Sequence, residues 1–113
     1  TIYFGSFDKN FYAVNPDGTK KWSVSVGGAI YSSAAIRSDG TVIFGADDGR
    51  VRALYTNAGR EGLVKWAYAT DDIIESSPVI APDGSVYVGS IDGKLYSFFG
   101  SSAITVSARA NAG

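Results

Sequence analysis

The 113-residue chain has no cysteine, no histidine and no methionine. Without cysteine there is no disulfide framework and no thiolate metal site, and no compartment follows, since many exported proteins also lack it. Missing histidine removes the commonest general base, the commonest transition-metal ligand and the usual switch of charge near neutral pH. An excess of one charge is missing too: 10 Lys and Arg against 11 Asp and Glu leave a net −1. That balance exerts no long-range pull on nucleic acid or an anionic membrane. Basic residues stand singly apart from Lys20-Lys21, so no groove tracks a phosphate backbone. No apolar run approaches the ~18 residues of a membrane helix, and no Asn-X-Ser/Thr acceptor occurs. A start at Thr1 without methionine or a charged-then-apolar leader reads as a mature or excised piece.

What is present is one segment written three times. Thr1-Ile2-Tyr3-Phe4-Gly5-Ser6, Thr41-Val42-Ile43-Phe44-Gly45-Ala46 and Ser85-Val86-Tyr87-Val88-Gly89-Ser90 share one pattern, with 40 positions from Gly5 to Gly45 and 44 from Gly45 to Gly89. Trp22 and Trp66 stand 44 apart, as do Ser32-Ser33 and Ser76-Ser77. One insertion explains the unequal spacing: Asn15-Pro16-Asp17-Gly18-Thr19 is a short turn, and residues 55–63 form a longer loop in its place. A period of this size marks stacked supersecondary units, and the four-stranded blade of a β-propeller fits it.

The turns set the strand limits. Asp17-Gly18-Thr19, Asp39-Gly40-Thr41 and Asp83-Gly84-Ser85 combine an Asp that supports the local backbone with a Gly that supplies positive φ. Asp48-Gly49 and Asp92-Gly93 are hairpin signals between alternating apolar runs. The first copy reads Asp8-Lys9-Asn10 there, with Asn10 expected to take the positive-φ role. Each unit then has strands a to d: a over 76–81, b over 85–91, c over 94–99, and d over 20–26 and 64–70. In d, Trp22, Val24 and Val26 alternate with Lys21, Ser23 and Ser25. No stretch sustains a 3.6-residue apolar period, so the expected class is all-β without helix.

The expected organisation is a partial propeller over 1–113: blade 1 at 1–26 lacking strand a, blade 2 at 32–70, and blade 3 at 76–100. Residues 101–113 follow as a tail or a substitute last strand, with 103–109 alternating suitably. Propellers close with about four to eight blades, and an open arc leaves apolar blade faces wet. The chain is therefore expected to belong to a longer propeller, or to associate with other copies to close the ring.

The run from Ser76-Ser77-Pro78-Val79 through Asp83-Gly84-Ser85-Val86-Tyr87-Val88-Gly89 to Leu95-Tyr96-Ser97-Phe98 resembles the blade repeat of the pyrroloquinoline-quinone-like (PQQ-like) propellers. Asn15-Pro16-Asp17-Gly18-Thr19-Lys20-Lys21-Trp22 is similar to the turn that leads into a docking tryptophan in that family. The resemblance covers residues 1 to about 100. It implies eight or so blades in the best-known members, bacterial proteins prominently, and a periplasmic or extracellular location. It spans quinone-dependent dehydrogenases, an outer-membrane assembly scaffold and many proteins without assigned chemistry. Trp22 and Trp66 are the structural docking residues it implies. Wedged between blades, an indole buries on the order of 200 Å², worth up to several kcal/mol at ~25 cal/mol/Å².

Topology supplies a candidate ligand site. Consecutive turns of a meander fall on opposite ends, so the b–c turns share an end with the d–a connections. That end collects Asp8, Asp47, Asp48, Asp71, Asp72, Glu75 and Asp92 against Lys9, Arg50 and Lys94. The connections 26–32 and 70–76 reach the central channel and differ between copies, with Tyr31 in one where Glu75 stands in the other. Tyr31, Asp47, Asp48, Asp71, Asp72 and Glu75 are the ligand-binding candidates, suited to a cationic or polyhydroxyl guest. The competing reading is a solvated acidic rim. No Asp-x-Asp-x-Asp-Gly run occurs, so no metal site is expected.

Catalysis has little support. Nucleophile–base pairs would rest on Lys or carboxylates, no Ser sits in a nucleophile elbow, and Gly27-Gly28 opens no helix for phosphate binding. The quinone dehydrogenases use calcium, carboxylate and stacking groups, often with adjacent cysteines, and this chain has no Cys-Cys. The expected function is a non-catalytic, extracytoplasmic propeller module that binds protein or glycan partners at its acidic loop face, without a cofactor. The alternative is a fragment of a PQQ-dependent dehydrogenase, which would bring PQQ and calcium, its catalytic groups lying in other blades. A third possibility is a structural repeat unit of a large surface protein.

Overall fold

Among the described residues, eleven strands make three antiparallel sheets. The computed structural model describes residues 1–98 in full, and Phe99 and the strand 104–109 by backbone alone. The first sheet orders β1 (Ile2–Gly5), β2 (Asn10–Val14) and β3 (Lys20–Ser25) side by side. The second orders β4 (Ala35–Ile36), β5 (Val42–Gly45), β6 (Arg50–Leu54) and β7 (Val64–Ala69). The third orders β8 (Val79–Ile80), β9 (Val86–Gly89), β10 (Lys94–Phe99) and β11 (Ile104–Arg109). Every pairing joins consecutive strands, so each sheet is a meander, and no helix occurs among the described residues. The all-β expectation holds, and the architecture is an open stack of propeller blades. Of the expected tail, residues 101–103 and 110–113 lie outside the described residues.

Strand a is shorter than expected over 76–81, because its start does other work. The Ser76 hydroxyl donates to the Gly89 carbonyl at 2.7 Å and accepts the Gly89 N–H at 3.0 Å. Pro78 lacks an N–H for a ladder, so regular pairing is confined to Val79 and Ile80. Ser32 grips Gly45 in the same way, at 3.2 and 3.0 Å. A second correction falls at the first hairpin. Lys9, not Asn10, adopts positive φ at 72°, matching Gly49 at 81° and Gly93 at 86°. Asn10 already belongs to β2, so the left-handed turn position falls on a residue whose Cβ makes it costly.

One irregularity recurs where it matters. The β2–β3 register shifts between Ala13 and Val14, and the β6–β7 register between Ala53 and Leu54. Each bulge leaves out one lysine, Lys21 or Lys65, and sets the next residue, Trp22 or Trp66, opposite a small alanine. β11 pairs with β10 without such a shift, and its register puts Val106 opposite Ser97.

The core lies between the sheets. Phe11, Ile30, Val42, Phe44, Ala46 and Leu54 form one buried cluster, with Tyr3, Trp22 and Val24 against it. Ile43, Val51, Ala53, Trp66 and Ile74 form the other with Val86, Val88, Tyr96 and Phe98. Neighbouring residues of β5 therefore enter opposite clusters, which is why Val42-Ile43-Phe44 is apolar without alternation. The innermost strands approach as well: the Ser33 N–H donates to the Ser77 hydroxyl at 2.9 Å.

Candidate functional site

The b–c turns and the d–a connections interleave at one end of the stack. The Ile30 N–H donates to the Ser6 carbonyl at 3.0 Å, and the Asp47 N–H to the Ala29 carbonyl at 2.9 Å. The next connection repeats this stitch: Ile74 N–H to Ala46 carbonyl at 3.2 Å, and Ile91 N–H to Ile73 carbonyl at 3.0 Å. Each connection thus ties the blade it leaves to the blade it enters.

Between the second b–c turn and the second connection lies an open cleft of about 220 Å³, lined by Asp47, Asp48, Gly49, Thr70, Asp71, Asp72 and Ile73. Thr70 frames it. Its N–H and hydroxyl both reach the Gly49 carbonyl at 2.7 Å, and the hydroxyl also lies 2.7 Å from the Asp72 carbonyl. The Ser90 hydroxyl braces the same connection, 3.2 Å from the carbonyls of both Asp72 and Ile73.

The carboxylates of this end fall into two groups. Asp8, Asp48 and Asp92 are held by their own hairpins, each accepting the amide two residues on, at 2.9, 3.1 and 2.8 Å. Each also takes a side chain four residues on: the Tyr12 hydroxyl, the Arg52 guanidinium with Nη1 at 3.0 Å, and the Tyr96 hydroxyl at 2.6 Å. The Tyr12 hydroxyl holds Asp8 below the ordinary carboxylate range. Burial works to raise Asp48 and Asp92, but Arg52 and Tyr96 with the turn amides keep both low.

Asp47, Asp71 and Asp72 are less occupied. The Asp47 Oδ1 is buried with no hydrogen-bond partner. Asp71 is exposed; its carboxylate pairs with Lys94 at 3.4 Å, and its N–H donates to Asp92 Oδ2 at 3.2 Å. Asp72 accepts the neighbouring Ile73 N–H at 2.7 Å. Of the six candidate residues, the structure brings Asp47, Asp48, Asp71 and Asp72 together in the cleft. Tyr31 and Glu75 do not line it; Tyr31 packs on Phe7 with ring centroids 4.4 Å apart. No group of three acidic side chains converges on a metal-sized point among the described residues.

Trp66 is 7% exposed and stacks on Phe98 across the second seam, with centroids 4.8 Å apart. Trp22 is half-buried, and Gly62 of the 55–63 loop lies so close that a Cβ there would sit 3.2 Å from its ring. Sequence reasoning missed Ile30 and Ile74, whose side chains occupy the space a Cβ would need at Gly5 and Gly45. The signal was available, since the two isoleucines stand 44 apart like the tryptophans.

No protein-family model matches the chain, and no curated protein matches it. Among solved structures it is similar to the crystal structure of BamB from Moraxella catarrhalis, with a TM-score of 0.79 at 16% identity over 96% of this chain. The match takes in 32% of that structure, so the chain spans about a third of its length. Identity this low establishes the fold alone: the chain is an arc of a β-propeller.

Proposed function

We propose that the chain is a non-catalytic propeller module acting as a binding or assembly scaffold, its acidic loop end receiving a basic segment of a protein partner. The observation that carries the reading is a divergence at equivalent positions of two otherwise matching connections. One has Gly27-Gly28, where a Cβ would meet Asp48 Oδ2 at 2.5 Å and Asp48 N at 2.6 Å. The other has Asp71-Asp72, both exposed beside the cleft. Turn chemistry calls for sameness between copies, and a recognition surface is where copies diverge. Exposed carboxylates whose internal contacts are a single lysine at 3.4 Å and a neighbouring amide at 2.7 Å add attraction for a cation without disturbing the hairpins. The setting we assign is the periplasm or cell exterior, on the repeat's resemblance and the likeness to BamB.

A labelled lysine-rich peptide tests this directly. The double change Asp71→Asn/Asp72→Asn should weaken its binding by roughly threefold to tenfold, the worth of two exposed charge contacts, and leave the unfolding midpoint unchanged. Asp17→Asn/Asp83→Asn, at the opposite end, is the control and should leave affinity alone. Equal losses in both variants would reduce the effect to net charge and end the proposal.

A further inference from the structure

Each blade has two unlike faces. In the second blade, the face toward the third carries Ile43, Val51 and Trp66, all within the buried cluster of that seam. Forty-four positions on, Tyr87 and Leu95 stand where Ile43 and Val51 stand. Ile43 and Val51 are 0% exposed, whereas Tyr87 is 37% and Leu95 41% exposed. The last blade therefore repeats an apolar seam face with nothing against it among the described residues.

The backbone fittings of the seam are there too. A Cβ at Gly5 would lie 2.1 Å from Ile30 Cγ2, and one at Gly45 lies 2.2 Å from Ile74 Cγ2, so each glycine is a socket for the isoleucine of the next connection. At Gly89 the nearest atom among the described residues is Ser76 Oγ at 3.6 Å, and no isoleucine among them approaches. The Ser6 and Ala46 carbonyls each accept two N–H groups, one from their own turn and one from Ile30 or Ile74. Among the described residues, the equivalent Ser90 carbonyl accepts only its own turn's Gly93 N–H, at 3.1 Å. Ser76 already clamps Gly89 on the near side. The socket is formed and lacks its key.

We propose that the Gly89 face of the third blade is a docking surface for another blade of this repeat. The contact is made by the segment leading into that blade's first strand. That segment carries an isoleucine two residues ahead of a serine, as Ile30 precedes Ser32 and Ile74 precedes Ser76. The isoleucine side chain covers Gly89 and its N–H donates to the Ser90 carbonyl. Both seams of the molecule are built this way, so the third surface continues an interface already made twice. A second folded copy of residues 1–113 does not fit as well, because both its keys are seated on Gly5 and Gly45. It would cover Tyr87 and Leu95 and leave the socket empty. The matched arc is 32% of the BamB structure, so the fold it resembles holds further chain.

The probe is a synthetic peptide of residues 69–82, titrated into the isotope-labelled protein and followed by chemical-shift changes. Saturable shifts centred on Tyr87, Gly89, Ser90 and Leu95 are expected. The peptide bearing Ile74→Ala should bind about tenfold more weakly or worse, from the loss of a branched side chain in a fitted socket. Leu95→Glu in the protein should abolish binding while the spectrum stays native-like, since Leu95 is 41% exposed and belongs to neither buried cluster. Shifts elsewhere, or equal binding by both peptides, would overturn the assignment. So would sedimentation showing a dimer that shields Tyr87 and Leu95 and resists the peptide, which would give the face to a second copy.

Discussion

The seam between the first and second blades and the seam between the second and third share their backbone fittings and differ in their filling. Both seat an isoleucine over a glycine. In the first, the aromatic stack is Phe11 on Phe44, with centroids 4.2 Å apart and planes within 5°. In the second, those positions are Val51 and Val88, and the stack has moved to Trp66 on Phe98. Trp22 has Leu54 in its cluster where Trp66 has Phe98, tilts against Tyr3 and Phe11 at centroid distances of 6.0 and 6.3 Å, and remains half-buried. Where two backbones must approach closely, the residue type repeats. Where only volume is needed, the volume can come from either side or either strand, because packing density is what the core requires.

The largest expected effect separates the tryptophans. Trp66→Ala should cost about 3–5 kcal/mol, as for a large buried aromatic, and Trp22→Ala roughly half of that, in proportion to the area each buries. Urea midpoints measure both, and equal losses would erase the difference between the seams. A second experiment sharpens what they share. Gly45→Ala forces a Cβ against Ile74 and should cost about 1–3 kcal/mol, while Gly89→Ala should stay within about 0.5 kcal/mol. Adding Ile74→Ala to Gly45→Ala should cost less than the two single losses combined, by a coupling of about 0.5–3 kcal/mol.

The smallest effect compares the a–b turns of two blades through acid. The Thr41 N–H, then the Thr41 hydroxyl and Lys65, hold Asp39 at about 2, below its ordinary 3.8. Its ionised form is the one the fold favours, so the contribution is complete above 3.8 and is lost as pH falls toward 2. Asp39→Asn should flatten stability against pH in that window. Asp83 is lowered mainly by the Ser85 N–H without a lysine, so Asp83→Asn should flatten it less.

The fold was legible because turn chemistry and period agree. Asp-Gly pairs fall where strands must end, a local constraint, and the 44-residue spacing repeats them, whereas the bulges at Lys21 and Lys65 emerge only in the folded sheets. The seam was less legible. Gly5 and Gly45 stood out as markers of the repeat, yet their use depends on Ile30 and Ile74, whose spacing marks them as repeated but whose contact with the glycines exists only in the folded chain. Lys9 was misjudged because Asn tolerates positive φ better, whereas hairpin register gives the position to the residue that follows Asp8. In the candidate site, the turns predicted which loops meet but not which carboxylates are already occupied. Asp48 looked free until Arg52, four residues away on β6, was seen to hold it.

The indole N–H of Trp66 is buried without an acceptor, while Trp22 is still partly wet. An indole in dry surroundings emits at shorter wavelength than one touching water, so ultraviolet emission contains two separable components. Parting the second and third blades would redden the Trp66 component strongly, and disturbing the first pair would barely move the Trp22 component. The protein thus carries its own label-free reporter, and its colour tells which of the two joints has opened.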